Sequence, residues 1–326
     1  MKVEPIFILS PPRSGSTLLQ RLLTLHKEVD SEAEPWILLP LYYAVKKHGV
    51  YAEYSHCTSH VAIGEFKKNM TGEGVGYSDS IRAFAFSAYG NAAEAGAKYF
   101  IDKTPRYSLI SREICEDFDR NKIVFLWRNP LAIVSSIVQT FLGGEWKLFR
   151  YDVDIDKGML NLIDTYSSYK GDVISIRYED LVKDVEKSVR EVGNALGLDY
   201  SGLDLEGFNS VNFKGSMGDP TGSKKYKSIS DGSLASWKKS INTYVRKKWC
   251  KNYLKKIGSD RLALIGYSYD DVLNELEGID VEFFSIQNIK DFLNVGYGAV
   301  YVFLNFKIIK DNFLSLKNNV KIYKAD

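Results

Sequence analysis

Near the amino terminus an apolar run, Ile6 to Ser10, passes through Pro11-Pro-Arg-Ser-Gly-Ser-Thr17 into a segment with Leu18, Leu19, Leu22 and Leu23 on one helical face. That passage limits the architecture more than any other stretch of the chain. A strand, a turn of small residues and a helix start make an anion cradle, because the first helical N–H groups lack intrahelical partners and the helix dipole is positive there. Arg13 adds a planar fork suited to phosphate or sulfate oxygens, and Ser14, Ser16 and Thr17 add hydroxyl donors around Gly15. A Walker A loop needs a second glycine followed by Lys, and neither is present. An ordinary nucleoside triphosphatase or P-loop kinase therefore fits poorly.

The same layout recurs along the chain. A weaker strand near Lys98 to Ile101 feeds Asp102-Lys-Thr-Pro-Arg-Tyr107, and a strong one, Lys122 to Trp127, feeds Arg128-Asn-Pro130, with Pro130 placed to start a helix. A fourth run, Val173 to Ile176, feeds Arg177-Tyr-Glu-Asp-Leu181 and one long helix towards Leu196. Strands alternating with helices predict a three-layer α/β domain of P-loop-like type, with a central parallel sheet flanked by helices. Each polar motif follows a strand, at the sheet edge where such folds bind ligands.

The chain of 326 residues, with 45% hydrophobic and 26% charged residues, suits a soluble globular protein. We expect a main domain over residues 1–275, with 37–96 as an insertion covering the site, and an extension over 276–326. With 43 Lys and Arg against 41 Asp and Glu, the net charge of +2 does not call for nucleic acid, so any anion site must be a local cluster. Cys57, Cys115 and Cys250 are odd in number and widely spaced, which favours a reducing compartment over a disulfide framework. Four histidines with no ligand-type spacing argue against zinc. No apolar signal-type run is evident, and Phe292 to Phe306 is too short and too broken by Asn294, Gly296 and Gly298 to cross a bilayer. These features lead us to expect a cytoplasmic protein. The aromatic and lysine-rich extension reads as a helix packed on its own domain rather than as a membrane-surface segment.

Pro11-Pro-Arg-Ser-Gly-Ser-Thr-Leu18 resembles the 5′-phosphosulfate loop of the sulfotransferases that use 3′-phosphoadenosine-5′-phosphosulfate (PAPS), in the branch of the tyrosylprotein, Golgi carbohydrate and bacterial enzymes. Arg128, followed eight residues later by Ser136, resembles the family's 3′-phosphate element. The resemblance implies sulfuryl transfer from PAPS to an acceptor hydroxyl, with a carbohydrate, glycolipid or small metabolite as acceptor and no metal required. It makes Arg13, Ser14, Gly15, Ser16, Thr17, Arg128 and Ser136 cofactor contacts. Tyr178 and Lys227, which stands ten residues before Trp237, are further ones. Glu34, 21 residues after Arg13, matches the family's catalytic glutamate, with Glu32 as its rival. Lys103 matches a lysine that stabilises charge on the leaving group, although a salt bridge to Asp102 is its simpler reading. Arg106 and Tyr107 are candidates to face the acceptor. The resemblance runs from residue 5 to about 270. It gives no counterpart for the segment 37–96 or for the tail, which leaves the acceptor open.

Overall fold

The computed structural model describes residues 3–48, 56–70, 76–118, 122–202, 208, 211, 213 and 234–303. Among these, five parallel strands form one sheet: β1 (Glu4–Leu9), β2 (Val29–Ser31), β3 (Tyr99–Asp102), β4 (Lys122–Trp127) and β5 (Ile174–Arg177), in the spatial order β2-β3-β1-β4-β5. Helices cover both faces, so the predicted three-layer α/β architecture is the observed one. Pro5 is tolerated in the central strand because it sits at its beginning. It lies opposite Phe100 of β3, whereas pairing to β4 starts only at Ile6.

Alternation along the strands sorts side chains into two cores. Ile6, Ile8, Ile101, Val124 and Leu126 pack on Leu19, Leu22 and Leu23 of α1 (Ser16–Leu23). Phe7, Leu9, Phe100, Phe125 and Trp127 face the opposite layer. That layer includes α4 (Tyr77–Ala92), which follows α2 (Leu38–Tyr43) and α3 (His56–Lys68). It also includes α6 (Pro130–Phe141) and α7 (Met159–Ser168), which follow α5 (Ser111–Asp117). Within the segment 37–96, Ile81, Ala85 and Tyr89 of α4 are buried in the core.

Two local differences from expectation have plain causes. The single helix expected after β5 is two, α8 (Tyr178–Lys183) and α9 (Val185–Leu196), because Asp184 leaves helical geometry at φ −146° and caps α9 by accepting from the Lys187 N–H. Strand β2 escaped notice because it is only three residues long and holds one apolar side chain, Val29.

The carboxy-terminal part adds α10 (Tyr244–Ile257), α11 (Ser259–Leu264), α12 (Tyr269–Glu277) and α13 (Ile286–Phe303). α13 docks on α10 through a buried ion pair, Arg246 Nε to Asp291 Oδ2 at 2.7 Å, and on the turn Leu148–Tyr151, where the Phe149 ring fills the space over Gly298. Its other face, including Ile286, Ile289, Leu293 and Val300, is exposed. Among the described residues no helix is long and apolar enough to cross a membrane.

Candidate active site

The strand order sets where a site can form. The chain leaves β1 towards β3 and β2 and later crosses to β4 on the other side of β1, so the crevice beyond the carboxyl ends of these strands is the topological switch point. The turns after β1, β3, β4 and β5 meet there, and they carry Arg13, Lys103, Arg128 and Tyr178 respectively. A cleft of about 680 Å³ opens at this edge, lined among others by Arg13, Gly15, Ser16, Thr17, Glu34, Arg128 and Tyr178.

The first turn is held in unusual backbone geometry. Arg13 has φ 67° and Gly15 has φ 89°, both left-handed. For Arg13 this is a strained conformation of the kind that clusters at functional sites. Gly15 is required twice over, since a Cβ there would also lie 2.3 Å from Cδ2 of Tyr178. Gly15 caps α1 without a side-chain hydrogen bond, leaving the helix's first N–H groups directed at the cleft.

The two expected phosphate elements are joined directly. Arg128 Nη1 donates to the Arg13 carbonyl at 2.8 Å, and Arg13 Nε donates to Ser136 Oγ at 3.1 Å. Ser136 thus serves Arg13 here and bridges the motifs. The Arg128 guanidinium lies 4.3 Å from the centre of the Tyr178 ring, so the β5 motif supports the β4 motif by a cation–π contact. Glu179 locks the two turns together, accepting from the Asn129 N–H at 3.0 Å and from the Tyr267 hydroxyl at 2.5 Å.

Glu34 is positioned by β2 and by the turn after β3. Gln20 of α1 donates to Ser31 Oγ and to the Glu32 carbonyl, both at 2.7 Å, fixing the strand end that leads into Glu34. Glu34 Oε1 accepts from Lys103 Nζ at 2.9 Å and its Oε2 accepts from Trp36 Nε1 at 3.2 Å. The Lys103 side chain is 2% exposed and that of Glu34 12%, so this is an ion pair at the floor of the cleft. Glu32 does not line the cleft.

Lys103 pairs with Glu34 rather than with Asp102, the simpler alternative, whose carboxylate is already engaged by three other donors. Asp102 is fully buried and accepts from Tyr89, Tyr107 and Thr104 at 2.6, 2.9 and 3.1 Å. Its pKa is pushed up to about 6, mainly by burial, with the three hydrogen bonds opposing the shift. Tyr107, 1% exposed, also accepts from the Leu38 N–H at 3.1 Å, so it braces the core instead of facing an acceptor. Arg106 is likewise engaged, donating to both carboxylate oxygens of Asp154 at 2.6 and 2.9 Å. Lys227 lies outside the described residues.

The site suits a ligand carrying several anionic groups. Among the described residues Ser14 Oγ and Arg128 Nε are buried without a hydrogen-bond partner, beside an uncapped helix start and a glycine that keeps the turn open. Buried polar atoms in native proteins are nearly always satisfied, so such orphans point to a ligand that completes them.

A sulfotransferase family model matches residues 5–202, which includes every strand of the sheet and both arginine motifs. The chain belongs to the sulfotransferase family. Nodulation protein NoeE of Sinorhizobium fredii (strain NBRC 101917 / NGR234) is 26% identical over 288 residues, covering 80% of this chain and 65% of that protein. The chain therefore spans slightly less than two-thirds of that relative's length. The sulfotransferase domain from the curacin biosynthetic pathway is similar in fold, with TM-score 0.52 and 21% identity over 79% of this chain and 98% of that one.

Sequence features did not single out Arg21, a charged residue that lines the cleft with Phe141 and Phe208. It stands one helical turn after Thr17, among leucines, where an arginine ordinarily reads as the solvated face of an amphipathic helix. Its place on the Thr17 face of α1 was the available signal.

Proposed function

We propose that the chain is a PAPS-dependent O-sulfotransferase that transfers a sulfuryl group to the hydroxyl of a carbohydrate, glycolipid or small metabolite. The observation that carries this reading is the Glu34–Lys103 pair at the floor of an arginine-lined cleft, beside an uncapped helix start. PAPS supplies the activated sulfuryl group. The residues of the chain then have distinct tasks. The N–H groups at the start of α1, with Ser14, Ser16, Thr17 and Arg13, hold the 5′-phosphosulfate, and Arg128 with Ser136 holds the 3′-phosphate. Tyr178 packs under Arg128 and against Gly15. Lys227 is included as a further nucleotide contact on sequence grounds alone.

Glu34 takes the proton from the acceptor hydroxyl, and Lys103 offsets charge that develops on the leaving oxygen. Positive charge already fixed in a partly enclosed cleft costs no reorganisation during transfer, which is where most of the rate gain in such chemistry arises. No metal is needed for this division of labour. Residues 1–275 form the catalytic unit in this proposal, and 276–326 an extension docked through Asp291. The free, buried thiols of Cys115 and Cys250 suit work in the reducing cytoplasm.

The test is transfer of radiolabelled sulfate from PAPS to a panel of sugars, glycolipids and small alcohols. Wild type should label at least one hydroxyl acceptor, and Glu34→Gln should lower kcat by roughly 10²–10⁴, the usual worth of a positioned base. Full activity in Glu34→Gln would remove Glu34 from the base role and bring Glu32 forward.

A further inference from the structure

Arg21 is 7% exposed and lines the same cleft as Arg13 and Arg128. Its Nη2 donates to the Phe208 carbonyl, and its guanidinium stacks 4.0 Å from the centre of the Phe208 ring. Its Nε is buried with no hydrogen-bond partner among the described residues. A planar cation braced on one side by a carbonyl and a ring, and left with an unused donor, is held ready for something that is not yet there. Burial alone disfavours the charged form of Arg21, so an anionic partner would repay a cost the fold already bears.

Charge matching says which partner. Glu34 and Lys103 neutralise one another, so among the described residues the remaining fixed positive charge in the cleft comes from Arg13, Arg21, Arg128 and the start of α1. A nucleotide with a 5′-phosphosulfate and a 3′-phosphate brings about four negative charges near neutral pH, since the second ionisation of a phosphate monoester lies near pH 6. Arg13 and the helix start face the first of these groups. Arg21 lies four residues beyond Thr17, about 6 Å further along the helix axis at roughly 1.5 Å per residue. That displacement, with Arg128 lining the same cleft, suits the second anionic group on the same ribose better than the first.

We propose that Arg21 is a nucleotide-specificity residue that acts with Arg128 on the 3′-phosphate, so that the cleft discriminates 3′-phosphorylated from plain adenosine nucleotides by two guanidinium groups. This rests on the PAPS reading above. The experiment is calorimetric binding of 3′-phosphoadenosine-5′-phosphate (PAP) and of 5′-AMP to wild type, Arg21→Gln and Arg21→Lys, with a thermal melt of each. Loss of a charge-assisted hydrogen bond is expected to weaken PAP about 10-fold or more in Arg21→Gln, with 5′-AMP changed by less than about twofold. Arg21→Lys keeps the charge, but one ammonium serves both the Phe208 carbonyl and a phosphate poorly, so a several-fold loss for PAP alone is expected. If Arg21→Gln does not fold, the PAP to 5′-AMP ratio in Arg21→Lys decides the question.

Equal weakening of both nucleotides would overturn the proposal and leave Arg21 as a brace for Phe208. Unchanged PAP binding would overturn it too. Wild type that binds PAP no more tightly than 5′-AMP is a different failure. It removes the PAPS reading itself, and the role of Arg21 goes with it.

Discussion

The Glu34–Lys103 pair links stability to ligand binding in a way that can be measured without an acceptor. Lys103 is 2% exposed and its ammonium has Glu34 Oε1 as its anionic partner at 2.9 Å. Removing one member of a buried pair typically costs about 3–5 kcal/mol, because the other charge is left uncompensated. Glu34→Gln retains a carbonyl oxygen for Lys103, and the Glu34 side chain is 12% exposed, so the expected loss is smaller, about 2–3 kcal/mol. For a chain this long that corresponds to a fall in Tm of roughly 4–6 °C, at about 2 °C per kcal/mol. The anionic nucleotide returns a counter-charge to the cleft, so PAP should raise Tm more in Glu34→Gln than in wild type. Thermal unfolding of wild type, Glu34→Gln, Lys103→Met and the double variant completes a cycle. The double variant should be more stable than the sum of the single losses implies, by about 1–3 kcal/mol. Additive losses, or an equal nucleotide-induced shift in all four proteins, would refute the coupling.

Three further outcomes follow from individual contacts. Gly15→Ala should abolish measurable PAP binding, because the added Cβ meets Tyr178 at 2.3 Å and Ala is strained at φ 89°; titration calorimetry checks it, and binding within about threefold of wild type would contradict it. Asp102 has a folded pKa raised to about 6 from an ordinary 3.8, so its neutral form favours the fold below pH 3.8 and that advantage is lost as pH rises through about 6. Denaturant unfolding across this window should therefore reveal a term worth about 3 kcal/mol in wild type, at roughly 1.4 kcal/mol per pH unit, that is missing from Asp102→Asn. Asp291→Ala should destabilise the chain by about 3–5 kcal/mol by leaving the Arg246 guanidinium buried without its carboxylate, as read from the denaturation midpoint.

The sheet was largely legible in the sequence because four of its strands are apolar runs that each end in a polar motif. β2 was not, since Val29–Ser31 offers a single apolar residue and is held by hydrogen bonds from Gln20 and to the Ile101 carbonyl, which only the folded chain brings near. The helix break at Asp184 was hidden inside an otherwise periodic segment. At the site, Arg13, Glu34 and Arg128 could be singled out by motif and spacing, and all three line one cleft. Lys103 could also be singled out, and the simpler alternative for it, a salt bridge to Asp102, gives way in the fold to Glu34. The neighbouring Asp102 is consumed by Tyr89, Tyr107 and Thr104, two of them in other elements, and sequence adjacency does not reveal that competition. Spacing placed Ser136 beside Arg128 as a phosphate contact, and the fold adds a bond that spacing could not show, from Arg13 Nε to Ser136 Oγ. Arg21 stayed hidden because the leucines around it describe the buried face of α1 and say nothing of a polar side chain that packs on Phe208.

The central claim is that this cleft holds a nucleotide through its 3′-phosphate and needs no metal to do so. The most direct measurement is calorimetric titration of PAP, with ADP and ATP·Mg as controls, into wild type and Arg128→Ala. The account predicts tight binding of PAP in the presence of EDTA, weak binding of both controls, and a loss of about 10-fold or more for PAP in Arg128→Ala. Preference for ATP·Mg, or PAP binding indifferent to Arg128, would contradict it.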